Sequence, residues 1–416
     1  MAGNLSGVRV LDLTHEPGFL AGKLLGDMGA DVVKVEPLGG DPARRRGPFW
    51  GGVADADRSI LWLALNTSKR AIALALDHAA GQAAFLKLVD QADVLLHTDP
   101  ARVLAARGLG WEALHARNPH LILVSITPWG QTGPHAGWRG SDLTVIAASG
   151  NLHCTGDPDR APLRCALPVS YYHGSLEACV GVSFALVHRE HTGVGQHLDV
   201  ALHEAMLMPN IATASMARMT GNRGQRSGGF FRQTKSVQRE IWPCKDGFVS
   251  FALRGGPARV PGLVAMVKYM DEHGMASAAL RGKDWKAYNH NLLSQADVDA
   301  LSAEFGAFFQ TKTMTEIFAR ACQDNLMIAP AITAREISAS KQLAARGFFI
   351  DVPYPDGQSL RYPGAFAVAT KKDGAATPIR IQRPAPGLAE HTDAVLRERG
   401  FGDDDIKALR QAGAIG

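Results

Sequence analysis

The stretch VRVLDLTHEPGFLAGKLLGDMGADVVKVEP, residues 8–37, decides the fold. Val8 to Thr14 is a short apolar run of the kind buried strands show, and Phe19 to Ala30 spaces its apolar residues as a helix does. Asp31 to Pro37 reads as a strand again, so the three segments form a β-α-β unit. The pattern recurs. Arg70 to Leu76, Asp93 to Thr98 and Leu121 to Thr127 read as strands, with helical segments through AAGQAAFLKLVDQA and near GWEALHARN between them. Strands alternating with helices predict an α/β fold around a mainly parallel, doubly wound sheet.

Further along, a helix ending in AASG precedes the loop CTGDPDRAP, and a helix is expected from about Gly174 to His191. A short strand and then one long helix are expected in GVGQHLDVALHEAMLMPNIATASMARM. Gly, Arg and Ser crowd the segment after it with little periodicity, which places a linker there. The expected division is a large domain over 1–220, a linker over 221–236, a small domain over 237–325, and a linker and return to the large domain over 326–416.

A chain of 416 residues is long enough for two cores. Its 46% hydrophobic and 20% charged residues are those of a folded globular protein. The net charge of +4 is spread among both signs, which argues against a nucleic-acid or membrane surface. Five cysteines without CxxC spacing give neither a disulfide framework nor a zinc site. The N-terminus lacks the pattern of a secretory signal, and no run reaches the roughly 18 apolar residues of a membrane span, so a cytoplasmic protein is expected.

No GxGxxG follows the first strand and no GxxxxGK[ST] occurs, so no nucleotide cofactor and no P-loop are implied. His188 and His191 stand three apart on a helix without a supporting ligand and read as a solvated face; no metal is expected. Ser141 and Asp142 in GSDL read as a helix cap, and Glu390 to Asp393 as a helix start. His15 lies where such sheets present ligands, with a structural or a functional role equally open. The NTSKR segment, Asn66 to Arg70, reads as a solvated turn, a phosphate contact being the alternative.

Several segments, in order from residue 7 to near residue 410, together resemble the family III CoA-transferases, the group that includes formyl-CoA transferase and carnitine CoA-transferase. They are GVRVLDLTHEPGFLAGKLLGDMGADVVKVEPLGGD, NTSKRAIALAL, TGVGQHLDVALHEA, KDGFV, ARGFF and RPAPGLAEHTDAVL. The resemblance implies a large Rossmann-like domain built from both chain ends, a smaller inserted α/β domain, and two protomers interlocked like links. It implies a coenzyme A thioester as substrate. A family aspartate attacks that thioester, giving a mixed anhydride, then an enzyme-bound aspartyl-CoA thioester, and CoA passes to the acceptor acid.

Counted back without gaps from GVSFALVHREHTG, the family's aspartate falls on Tyr171. A phenol has no carbonyl carbon to carry CoA, and its ordinary pKa of about 10 makes it a poor nucleophile at neutral pH. Positions that contact CoA in the family fall on His15, Glu16, Pro17, Pro37, Leu74, Thr98, Asp99, Ala106 and Arg139. Pro37 and Ala106 replace arginines suited to phosphate, and Asp99 repels it; Arg102 and Arg107 stand nearby.

The resemblance therefore leads first to a non-catalytic subunit of a heteromeric CoA-transferase. Its partner would be a paralogous subunit that carries the catalytic aspartate, and the complex would move CoA from succinyl-CoA to an aromatic dicarboxylate such as benzylsuccinate. A homodimeric CoA-ester racemase, isomerase or lyase using Tyr171, Tyr172 and His173 is the alternative, and a regulatory or binding protein of the same fold is the third.

Overall fold

The computed structural model describes residues 3–221, 224–233, 235–354, 357–370, 372, 374, 376–377 and 379–416. The expected linker at 221–236 thus includes three positions, 222, 223 and 234, outside the described residues. The chain divides into two compact units: Met1–Leu152 with Arg164–Asn222 and Leu343–Gly416, and His153–Leu163 with Arg223–Gln342.

The first unit is built on six strands: β1 (Arg9–Leu13), β2 (Asp31–Glu36), β3 (Lys69–Ala73), β4 (Val94–His97), β5 (Ile122–Thr127) and β6 (His197–Ala201). Every pairing is parallel, in the order β3-β2-β1-β4-β5-β6. Helices α1 (Phe19–Asp27), α2 (Ala79–Val89), α3 (Trp111–Arg117), α4 (Asp142–Ala148) and α5 (Val169–Thr192) supply the crossovers and coverings. A strand buried on both faces favours apolar residues, which the Val, Ile and Leu of these strands supply, and each buried charge among them must find a partner.

The two-residue period of each strand divides the side chains between two cores. Leu11, Val33, Ile72, Leu95 and Leu123 pack on one face with Phe85 and Leu88 of α2 and with Val395 and Leu396 of the helix Thr392–Glu398. Val10, Val32, Val94, Ile122 and Val124 pack on the other with Leu24 and Leu25 of α1 and Ala178, Val182 and Ala185 of α5. Residues near the C-terminus therefore complete a layer begun by the N-terminal strands. In the second unit a three-stranded antiparallel sheet packs its Trp242 and Phe251 against Phe305, Phe308 and Phe309 of the helix Gln295–Gln310.

Three expectations need correction. NTSKR is no solvated turn: Lys69 is 0% and Arg70 8% exposed, because β3 begins at Lys69 and carries both cations into the sheet. Buried cations need partners. Lys69 Nζ lies 2.8 Å from Asp12 Oδ2 and donates to the Phe19 carbonyl at 2.9 Å, while Arg70 pairs with Asp31 at 2.7 Å and Glu398 at 2.5 Å. Both charges are consumed by the fold. Helix α1 can lie close over this cluster only because Gly22 has no side chain, since a Cβ there would stand 2.3 Å from Asp12 Oδ2.

The long helix expected after β6 is broken into Leu202–Ala205, a 3₁₀ turn Met208–Asn210, and Ile211–Thr220. Pro209, with no N–H to donate, sits in that turn. Helix α5 starts at Val169 rather than near Gly174, so Tyr171 belongs to its first turn. Among the described residues no helix is long and apolar enough to cross a membrane.

Candidate functional site

The strand order reverses direction between β1 and β4, and ligands of open parallel sheets bind at the carboxyl ends of the strands at such a point. A cleft of about 300 Å³ opens there, lined by residues in the last positions of β1 and β2 and in the segments after β1, β2, β3 and β4. The His15 backbone N–H donates to Thr98 Oγ1 at 2.9 Å, which ties the end of β1 to the end of β4 across the reversal.

Of the positions named from the sequence, His15, Pro37, Leu74 and Asp99 line this cleft. His15 Nδ1 lies 2.6 Å from Oδ2 of Asp41, which is 3% exposed on its side chain. Asp41 Oδ1 accepts from the Ala43 N–H at 2.8 Å, and the Asp41 N–H donates to Glu36 Oε2 at 3.0 Å. Burial works to raise the Asp41 carboxyl, but the His15 hydrogen bond, the Lys34 charge and the Ala43 N–H outweigh it and hold the group below its ordinary value.

The cleft offers phosphate little. Glu36 is taken up by Arg44, which contacts both its oxygens at 2.7 and 2.8 Å, reaches Asp57 at 2.6 Å and stacks 3.7 Å from the Trp62 ring. Arg107, which lines the cleft, is paired with Asp77 at 2.8 Å. Ala106 is exposed and outside the lining, and Arg139 lies on the exposed loop after β5, where its carbonyl accepts from Trp129 Nε1 at 3.4 Å.

A second group of residues gathers where α4 and α5 begin. The Tyr171 hydroxyl accepts a hydrogen bond from the Asp142 N–H at 3.1 Å, serving one of the unpaired first-turn donors of α4. In return Asp142 Oδ1 accepts from the N–H and the hydroxyl of Ser170 at 2.9 and 2.8 Å. Ser141 caps α4 in a reciprocal box with Thr144. The GSDL cap is as expected, and the phenol is part of it.

Glu16 and Pro17 belong to the 3₁₀ turn after β1. Arg46 holds Glu16 through both terminal nitrogens, with Nη2 to Oε1 at 2.9 Å, and the Pro17 carbonyl accepts from Ser175 on α5 at 3.1 Å. Burial raises the Tyr171 phenol above its ordinary value; the Asp142 N–H pulls it back, and the Glu16 and Asp142 carboxylates push it higher. Tyr171 is thus held un-ionised at neutral pH. His173 is half-buried on α5, while His188 and His191 are exposed near its end. Among the described residues no cluster of three or more His, Cys, Asp or Glu side chains could hold a metal ion.

Sequence reasoning missed Asp41 as the partner of His15 and Asp77 as the partner of Arg107. The only local signal was that Asp41 precedes a proline as an N-cap would.

A six-stranded parallel sheet in Rossmann order, with a strand-end cleft and no glycine-rich phosphate loop, defines a large α/β protein for a small-molecule ligand. The chain belongs to CoA-transferase family III, whose model matches residues 5–392. Succinyl-CoA:(R)-benzylsuccinate CoA-transferase subunit BbsE of Thauera aromatica is 31% identical over 100% of this chain and 99% of its own. Succinate–glutarate CoA-transferase of Agrobacterium fabrum is 33% identical over 95% of each chain. The succinyl-CoA–L-malate CoA-transferase alpha subunit of Chloroflexus aurantiacus is 30% identical over 98% of this chain and 91% of its own. A CAIB/BAIF family protein from Brucella suis shares the fold with a TM-score of 0.80 and 26% identity, over 96% of this chain and 100% of that one.

Proposed function

We propose that this chain is the non-catalytic subunit of a heteromeric family III CoA-transferase, with a paralogous chain supplying the nucleophilic aspartate. The observation that carries this reading is the position and use of Tyr171. Where the family's nucleophile is expected stands a phenol whose oxygen is engaged with the Asp142 N–H and whose ionisation is opposed by burial and by two carboxylates. The atom that would bond to CoA is absent, and the Asp142 N–H and the Arg46 charge, which favour ionisation, are outweighed.

The strand-end cleft supports the same reading. His15, Pro37, Leu74 and Asp99, expected from the resemblance at CoA-contact positions, line it, yet the one guanidinium in the lining is paired with Asp77. In the proposed complex CoA therefore sits on the partner. There the partner's aspartate attacks the acyl-CoA carbonyl and expels the CoA thiolate, leaving a mixed anhydride. The thiolate then attacks the aspartyl carbonyl and releases the donor acid, and the acceptor carboxylate later takes CoA by the reverse sequence.

A partner is also favoured by helix α5. Its inner face is buried, while Leu176, Val180, Phe184 and Val187, spaced four, four and three apart, are 49, 50, 72 and 54% exposed. A helix apolar on both sides is one covered on both sides. We assign its outer face to the paralogous subunit, in an interlocked heterodimer of the cytoplasm. Relatives named as subunits, among them BbsE and the alpha subunit from Chloroflexus aurantiacus, support heteromeric assembly. Both names support succinyl-CoA as donor, and the BbsE name supports an aromatic dicarboxylate such as benzylsuccinate as acceptor.

The test is to assay CoA transfer from succinyl-CoA with the purified chain alone and after co-expression with a paralogue bearing aspartate at the matching position. Activity is expected only from the pair, and full activity of the lone chain would sink the assignment.

A further inference from the structure

The edge of the sheet opposite the strand-end cleft, where β1, β2 and β3 begin, holds a second opening of about 270 Å³. Ser6, Gly7, Asp31, Ser68, Arg70 and Arg383 are among its lining residues. Its floor is balanced in charge. Asp31 accepts from Arg70 Nε and Nη2 at 3.1 and 2.7 Å and from Arg399 Nη2 at 2.7 Å, and Glu398 accepts from Arg70 Nη1 at 2.5 Å. Behind Ser68, the Asp27 carboxylate is taken up by Lys23 and by the Ser68 hydroxyl. One guanidinium is left over: Arg383 is exposed, and among the described residues no carboxylate stands within ion-pairing distance of it.

The other groups at the opening are donors rooted in fixed backbone. The Ser68 N–H donates to the Arg383 carbonyl at 3.0 Å and the Gln382 N–H donates to Ser68 Oγ at 2.9 Å, so the root of the Arg383 side chain is pinned from both sides of one residue. Ser68 makes these contacts at a φ of +66°, a left-handed conformation that costs a serine free energy and persists only where its surroundings impose it. On the facing wall, the turn before β1 is closed by the Ser6 N–H on the Gly3 carbonyl at 3.1 Å and the Val8 N–H on the Leu5 carbonyl at 3.0 Å. The Gly7 N–H and the Ser6 hydroxyl are left without an acceptor among the described residues, and open space lies where a Cβ of Gly7 would stand. The opening thus presents donors and one surplus positive charge above carboxylates that are already satisfied.

We propose that this opening binds the carboxylate of a small organic acid, with the Arg383 guanidinium holding both oxygens and the Ser6 hydroxyl and Gly7 N–H as further donors. An ionised carboxylate only accepts hydrogen bonds, and its two oxygens match the paired N–H groups of a guanidinium. One surplus charge suits a singly charged head. A phosphate dianion would bring a second negative charge toward Asp31 and Glu398 with no further free cation to receive it. Carboxylic acids are what CoA transfer consumes and releases, so the chain meets this class of ligand in the course of the family's reaction. The inference stands apart from the subunit reading: every residue it uses lies in the first unit of this chain, and none lines the strand-end cleft.

The experiment is calorimetric titration of the purified full chain with sodium acetate, and separately with inorganic phosphate, at constant ionic strength. Acetate is expected to saturate one site with a Kd on the order of 1 mM, the strength of an open charge-assisted pair, and phosphate to bind about fivefold more weakly or less. Arg383→Gln should abolish saturation, and Arg383→Lys, which keeps the charge and loses the fork, should weaken acetate about fivefold. Ser6→Ala, which removes one donor, should weaken it by about threefold. Because the Arg383 side chain has no partner in the fold, the melting temperature of its variants should stay within about 1 °C of the native chain. No saturation below about 50 mM acetate, unchanged acetate affinity in Arg383→Gln or Arg383→Lys, or phosphate binding more tightly than acetate overturns the proposal.

Discussion

The decisive perturbation is Tyr171→Phe, because it removes one oxygen and leaves the ring in place. The structure gives that oxygen one partner, the Asp142 N–H at 3.1 Å in the first turn of α4. Losing a hydrogen bond of this kind costs about 1 kcal/mol, which for a unit of this size lowers the melting temperature by about 2 °C. If the phenol only ties two helix starts together, kcat and KM of the reconstituted complex should stay within about twofold. A phenol that moved a proton in the reaction would instead cost about 10²- to 10⁴-fold in kcat. The assay pairs a thermal melt of the variant with steady-state transfer from succinyl-CoA by the co-expressed complex. A fall in kcat beyond tenfold, with the small thermal shift intact, would refute the structural reading of Tyr171.

On the proposed reading, Tyr171→Asp supplies a carboxyl but no CoA clamp, and the new group would face Glu16 and Asp142; mass spectrometry after incubation with succinyl-CoA should find no CoA joined to the variant. Phe184→Arg places a charge in the middle of the outer α5 stripe, where Phe184 is 72% exposed, and should abolish co-purification of the paralogue while leaving the melting temperature of the chain within about 1 °C. His97 gives a pH signature: burial, with His197 adding to it, pushes its imidazole down to about 3, so the folded state keeps it neutral while the unfolded chain takes up a proton near pH 6.5. The unfolded state then binds more protons between those values, stability falls as pH is lowered through that window, and from pH 7 to pH 5 the loss is about 2 kcal/mol. Urea unfolding at the two pH values should show this loss in the native chain and a smaller one in His97→Gln.

What the sequence made legible follows from the range of the interactions involved. Strands β1 to β5 were readable because a doubly covered parallel strand is mostly apolar, a property contained in the four to six residues of the strand itself. NTSKR was misread for the complementary reason. The groups that make Lys69 and Arg70 tolerable inside the sheet are Asp12, Asp31 and Glu398, and no local pattern connects them. The His15–Asp41 contact spans 26 residues and the Asp142–Tyr171 contact 29, and each exists only because the topology brings two element ends together. Periodicity carries no information of that kind. The early break of the helix after β6 was legible in principle from Pro209, whose missing N–H ends a ladder wherever it occurs.

The features of the candidate site bear on one another. A nucleophile can be lost while the rest of a CoA site remains serviceable, and a clamp can be lost while a nucleophile remains. On the proposed reading the position of the nucleophile holds a phenol bonded to a helix N-terminus, and the one cleft guanidinium is bound to Asp77. Neither arrangement is an empty place: each polar group has been given a structural partner. Such replacement is what a fold requires once a group no longer meets substrate, because an unpaired polar atom in a half-buried position costs stability whether or not the site is used. The outer face of α5 has no such excuse. Leu176, Val180, Phe184 and Val187 contribute nothing to the core of the single chain, and exposed apolar side chains in a row promote aggregation unless something covers them. In the proposed complex that cover is the catalytic paralogue, and the same chain that has surrendered its chemistry keeps the surface by which it serves another's.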